Sequence, residues 1–134
     1  MNKRDSRYMR VAEAVSNTST YGKIKIGAVI VKNNRIISVG KNSRKSHPIQ
    51  KYYDRYLDYY NDPKLQHHIH AEISAIVNAN EDLTNATIYI FRRDKNKRLN
   101  ICRPCNACYA LIKKTGIKRI VYTILNGFAE EFVC

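Results

Sequence analysis

Two short motifs constrain this chain more than anything else in it: His70-Ala71-Glu72 and Pro104-Cys105-Asn106-Ala107-Cys108, each at a predicted helix start. A fold that brings those two starts together sets two thiols, an imidazole and a carboxylate around one point. Cysteines three positions apart at a helix start project to one side, so both sulfurs reach a single ion. The positive end of the helix also favours their thiolate forms. Pro104 suits a helix entrance because it has no N–H to leave unpaired. His70 adds a third ligand from the neighbouring helix. Zn2+ takes such a donor set, and three protein ligands leave one tetrahedral position open for water. Glu72 lies on the same opening turn as His70 and is free to move protons.

Each motif alone is weak. A lone C-x-x-C is often a structural zinc clip, and a lone H-x-E says little; their order and the proline supply the specificity. Three of the four cysteines fall within seven residues, Cys102 to Cys108, which reads as metal binding rather than disulfides. Cys102 as a fourth ligand would close the site and make it structural. Its place at a strand end, before Arg103-Pro104, points it elsewhere, as a small half-buried thiol. His68 competes with His70, but only His70 stands in the required relation to Glu72. His67 and His68 read as solvated imidazoles of a helix-entry loop. Cys134, the last residue, reads as a free thiol.

Periodicity supplies the frame. Tyr8, Val11, Ala12 and Val15 predict a helix over 5–17. Strands are expected at 27–31 and 35–39, joined through Lys32-Asn33-Asn34, and the stretch 40–48 reads as a loop. A short helix is expected within 52–60, ended by Asn61-Asp62-Pro63, and a core helix over 69–80 that buries Ile73, Ile76 and Val77. A third strand follows at 86–91. Asp94 to Lys97 then forms a hairpin tip that returns through Leu99 and Ile101. The helix after Pro104 buries Leu111 and Ile112 and stops at Gly116. A strand at 118–125 and an edge element within 127–133 complete the chain. This alternation predicts an α/β fold, a three-layer α/β/α sandwich with helices on both sides of one sheet, in a single domain spanning 1–134.

The charge balance is +13, from 24 basic and 11 acidic residues. A field of that sign suits anionic partners, nucleic acid or free nucleotides. The longest apolar run, Ile26 to Val31, is far too short to span a bilayer, and no apolar stretch follows the charged N-terminus. The expectation is a soluble, cytoplasmic protein with no membrane partner.

The joined motifs are those of zinc nucleobase deaminases, and the chain resembles the cytidine and deoxycytidylate deaminase superfamily, its phage-type small members above all. The resemblance runs through the first hairpin, the His70-Ala71-Glu72 helix, the strand at Ala86-Thr87-Ile88-Tyr89, the Pro104 helix and the strand after Gly116-Ile117. It implies a mixed, about five-stranded sheet with zinc between two helices. It also implies hydrolytic deamination of a free pyrimidine nucleotide, dCMP to dUMP with release of ammonia, by a homo-oligomer. Asn42 is implied as a contact to the substrate sugar, and the backbone at Ala71 as a contact to the base. The loop after Asn42 departs from the family's Gly- and Pro-containing phosphate loop and reads Ser43-Arg44-Lys45-Ser46-His47-Pro48, in which Arg44 and Lys45 can hold a phosphate as charge-assisted donors.

Two inserts leave the substrate open at this level. The basic run Arg92 to Arg98 reads as a substrate clamp, a nucleic-acid contact or a solubilising tip. The tyrosines Tyr52, Tyr53, Tyr56, Tyr59 and Tyr60 read as packing surface or as stacking platforms for unpaired bases. The alternatives are therefore a deaminase acting on a base within nucleic acid, either single-stranded cytosine or tRNA adenosine, and a non-catalytic zinc module that binds nucleic acid. Glu72 opposes the last, because a silent module has no use for that carboxylate.

Overall fold

A computed structural model describes residues 1–22 and 24–133; the reading of Cys134 as a free thiol lies outside the described residues. The elements run α1 (Lys3–Ser16), β1 (Lys25–Lys32), β2 (Arg35–Lys41), α2 (Pro48–Tyr53), a 3-10 turn (Asp54–Tyr56), α3 (Ala71–Asn78), β3 (Thr87–Arg93), α4 (Asn106–Thr115), β4 (Arg119–Ile124) and β5 (Gly127–Phe132). The strands form one mixed sheet in the order β2-β1-β3-β4-β5. Only β3 and β4 are parallel, with α4 as their crossover; the other neighbours are antiparallel. The expected five-stranded α/β/α sandwich is what forms.

Two cores cover the two faces of the sheet. On one face Tyr8, Met9 and Ala12 of α1 pack on Val29, Val31, Tyr89, Phe91 and Val121. On the other, Ala71 and Ala75 of α3 and Ile112 of α4 meet Ala28, Ile30, Ile88, Ile90 and Ile120. Alternate residues of β1 and β3 thus enter opposite cores, as a strand buried on both sides requires. The β1–β2 turn places Asn33 and Asn34 at φ 54° and 60°, the twofold positive φ that an asparagine pair tolerates in a tight hairpin. Gly116 ends α4 at φ 86°. Among the described residues no helix is long and apolar enough to cross a membrane.

The structure corrects three expectations. The tyrosine-rich helix begins earlier, at Pro48, whose ring fits the first helical position, and the helical geometry is over by Leu57. Pro104 lies one residue before the N-cap of α4, and Cys105 is the cap itself. The return through Leu99 is not a strand: one bridge, Arg93 to Leu99, holds it, while the Asp94 carboxylate closes the turn by accepting from the amides of Asn96 and Arg98.

A buried ion pair ties α1 to the sheet. Arg119 donates to both oxygens of Asp5, at 2.9 and 2.6 Å, and the Tyr89 hydroxyl donates to Asp5 at 2.6 Å. The Arg119 guanidinium, chiefly, holds the Asp5 carboxyl below its ordinary range against the opposing effect of burial. A depressed carboxyl contributes stability that is complete above its unfolded pKa and fades as pH falls through the folded value. Arg119→Met should therefore cost about 3 kcal/mol near neutral pH. The deficit relative to wild type should shrink below about pH 4. Urea melts at the two pH values check both; a deficit that does not depend on pH contradicts the assignment.

Candidate active site

Two N-cap positions create the site. His70 caps α3 and Cys105 caps α4, and neither side chain bonds an amide of its own helix. The imidazole and thiol are thereby left to face each other. Cys108, buried in the first turn of α4, completes a group whose ligand atoms all lie within 4.8 Å of one another. His70 Nδ1 sits 3.2 Å from Cys108 Sγ and 3.6 Å from Cys105 Sγ. Ligands tetrahedrally disposed about one zinc stand about 3.6 Å (N to S) apart, so the three atoms fit that ion and leave its fourth position free. Two sulfurs and one imidazole are also a donor set that zinc accepts readily.

Electrostatics follow the geometry. A hydrogen bond from Cys108, with help from His70, lowers the Cys105 thiol to about 4 despite its burial. Burial opposes charge on His70, but the Cys105 hydrogen bond and the charges of Glu72 and Cys105 outweigh it and raise the imidazole to about 9. Burial pushes Cys108 well up and also raises Glu72. A cation held by these atoms displaces the protons they would otherwise share.

Glu72, in the first turn of α3, is only 5% exposed and reaches a cleft of about 240 Å³ beside His70 and Cys105. Ile24, Ile26, Ile69 and Ile101 give this cleft apolar walls, with Tyr21, Asn42, Arg92 and Arg103 as its other polar lining. Ala71 is fully buried at the start of α3, where first-turn amides have no helical acceptor. Asn42 lines the cleft with an amide already engaged: Oδ1 accepts from the Ser19 hydroxyl at 2.6 Å and the Ile26 amide at 3.0 Å, and Nδ2 donates to the Ile24 carbonyl at 2.8 Å. One N–H of Asn42 remains for a ligand. Arg44 and Lys45 are exposed and do not line the cleft; the backbone of their loop instead pairs with Ile69, just ahead of His70. Cys102 is no member of the ligand group, since its thiol contacts the Ile90 carbonyl and the Thr123 hydroxyl and burial pushes it up to about 12. Nor is His68, which faces the Tyr21 hydroxyl at 3.5 Å.

Residues 2–124 match the family described as the cytidine and deoxycytidylate deaminase zinc-binding region. The chain belongs to that family. A deoxycytidylate deaminase of Mycobacterium phage D29 is 29% identical over 128 residues, covering 88% of this chain and 92% of the phage protein. An uncharacterised deaminase of Aliivibrio fischeri is 32% identical over 117 residues, covering 85% of this chain and 68% of its own length. The dCMP deaminase of cyanophage S-TIM5, solved with dCMP and dUMP, is similar in fold, with a TM-score of 0.64 at 22% identity over 91% of this chain and 82% of that one.

This deaminase-family site also rests on three residues that no sequence motif marks. Gln50, fully buried in α2, accepts the His70 amide at 2.9 Å through Oε1 and donates to Asp54 at 2.7 Å through Nε2. The other Asp54 oxygen lies 2.6 Å from His67 Nδ1. His67 is thus no free imidazole of a loop but the end of a chain that fixes the His70 backbone. Gln50→Ala strands two buried polar groups and should destabilise the fold by about 3 kcal/mol. A denaturant melt within 0.5 kcal/mol of wild type (about the ordinary surface-mutant range) would show that the chain supports nothing.

Proposed function

We propose that this chain is a zinc-dependent deaminase that converts dCMP to dUMP, adding water and releasing ammonia. The observation that carries the reading is the placement of Glu72: a buried carboxyl, in the turn next to the His70, Cys105 and Cys108 ligand group, opening on a cleft of small-molecule size. When bound, zinc supplies a Lewis acid that activates water at neutral pH. Cys105, Cys108 and His70 hold it, and Glu72 accepts the proton of the attacking water. Glu72 then delivers that proton to the pyrimidine ring and assists protonation of the departing amine as C4 becomes a carbonyl. Burial raises the Glu72 carboxyl, which suits a group that must both take and give a proton. The isoleucine walls exclude bulk water around the base; in this reading the free N–H of Asn42 contacts the sugar and the backbone of Ala71 contacts the base. The whole reaction is assigned to one domain.

The second reading places the target base within a polynucleotide. It draws on the net charge of +13 and on Tyr52, Tyr56, Tyr59 and Tyr60, all about half exposed, with Arg55 lying over the Tyr52 ring. Assaying ammonia release from dCMP, deoxycytidine and a cytosine-bearing single strand separates the two. Turnover of dCMP is expected, and turnover of the oligonucleotide alone would overturn the first reading.

A further inference from the structure

Arg92 is unlike the other cations around the cleft. Strand alternation puts it on the same face of β3 as the core residues Ile88 and Ile90, so its guanidinium follows two buried isoleucines into the lining of the site. Among the described residues it has no carboxylate partner. One terminal nitrogen donates to the Ile101 carbonyl at 3.2 Å, and Nε is buried with no acceptor. Arg103, the other guanidinium of the cleft, is already held by Glu131 through bonds of 2.7 and 3.0 Å. Arg44 and Lys45 stand outside the cleft lining. The other terminal nitrogen has no acceptor among the described residues and is not buried, so it remains open to an acceptor that a ligand brings. A guanidinium donates to carboxylate and to phosphate oxygens, and a 5′-phosphate is the anionic group that the proposed substrate carries.

We propose that Arg92 is the specificity-determining residue of this enzyme, donating to the 5′-phosphate of the substrate and selecting nucleotide over nucleoside. The assignment moves phosphate recognition from the loop after β2 to the end of β3, inside the basic insert. It rests on the reading of the site as a dCMP deaminase.

The test is steady-state deamination of dCMP and deoxycytidine by the zinc-loaded wild type, Arg92→Ala, Arg92→Lys and the double variant Arg44→Ala/Lys45→Ala, with calorimetric binding of dUMP as a second readout. In Arg92→Ala the ratio of kcat/KM for dCMP over deoxycytidine should fall about 10- to 100-fold, mainly through KM for dCMP. Binding of dUMP should weaken by a similar factor, and Arg92→Lys should recover part of both. Equal losses on the two substrates would put Arg92 against the base or sugar and overturn the phosphate assignment. Loss of selectivity in the Arg44→Ala/Lys45→Ala protein but not in Arg92→Ala would overturn it in favour of the loop. If Arg92→Ala does not fold, the selectivity and dUMP affinity of Arg92→Lys decide: wild-type values for both overturn the proposal. A wild type that processes deoxycytidine but not dCMP overturns both the substrate reading and this one, whereas dCMP turnover with selectivity intact in the variants overturns Arg92 alone.

Discussion

Glu72→Gln should bind one zinc ion as the wild type does and lose deaminase activity by about 10²- to 10⁴-fold, the usual contribution of a positioned acid–base group. The substitution keeps the volume of the side chain and removes only its capacity to exchange a proton. The ligand group of His70, Cys105 and Cys108 does not include Glu72, so metal content and affinity should be preserved. Burial already disfavours charge on the Glu72 carboxyl, and a neutral amide is therefore accommodated without a desolvation cost. Metal analysis, a thermal melt and an ammonia assay on one preparation make the prediction specific. Loss of zinc together with activity would mean that Glu72 supports the metal; retained activity would remove it from the chemistry.

Gly40→Ala should be the most disruptive of the small substitutions. Gly40 on β2 pairs with Ala28 on β1, and α3 lies directly over both. A Cβ at Gly40 would overlap the backbone nitrogen of Ala75 and sit 2.5 Å from the carbonyl oxygen of Ala71. The atoms in its way are the backbone of the helix that carries His70 and Glu72, and that backbone cannot turn aside as a flexible side chain could. The helix must lift from the sheet, with a loss of about 3 kcal/mol or more and with the ligand geometry broken. Gly127→Ala is the matched control, because its Cβ would meet only Ile124 at 3.9 Å. Urea melts and zinc retention of the two variants should differ sharply; a Gly40→Ala protein as stable as Gly127→Ala would contradict the close packing of α3 on β2.

The metal group was legible in the sequence because its chemistry demands particular heteroatoms at short, fixed spacings. The same demand blurred the helix boundaries. His70 and Cys105 occupy the N-cap positions where Ser, Thr or Asp would announce a helix start, and neither caps its helix with its side chain. The layering was legible from the strand runs, since Ala28 to Val31 and Ile88 to Phe91 are apolar on both faces, as strands between two helical layers must be; the order of the strands emerges only with the structure. The tyrosine segment was misplaced because Tyr52, Tyr53, Tyr56, Tyr59 and Tyr60 recur at helical spacing although the helical geometry is over by Leu57, and because Pro48 looked like a loop residue when it begins α2. Gln50, Asp54 and His67 could not be linked from sequence: their bonds depend on how the segment between α2 and α3 folds back. Arg92 was visible only as one charge in a basic run. Its strand register, which turns it toward the cleft while Arg93 turns to Glu13 of α1, emerges with the sheet.

Zinc-dependent deamination of dCMP is the reaction proposed for the His70, Cys105 and Cys108 site. The most direct measurement follows dUMP and ammonia formed from dCMP by the same protein before chelation, after chelation and after zinc is restored. Activity should vanish with the metal and return in proportion to zinc, levelling at one equivalent per chain. Unchanged turnover of dCMP by the zinc-free protein, or none by the fully loaded protein, would contradict it.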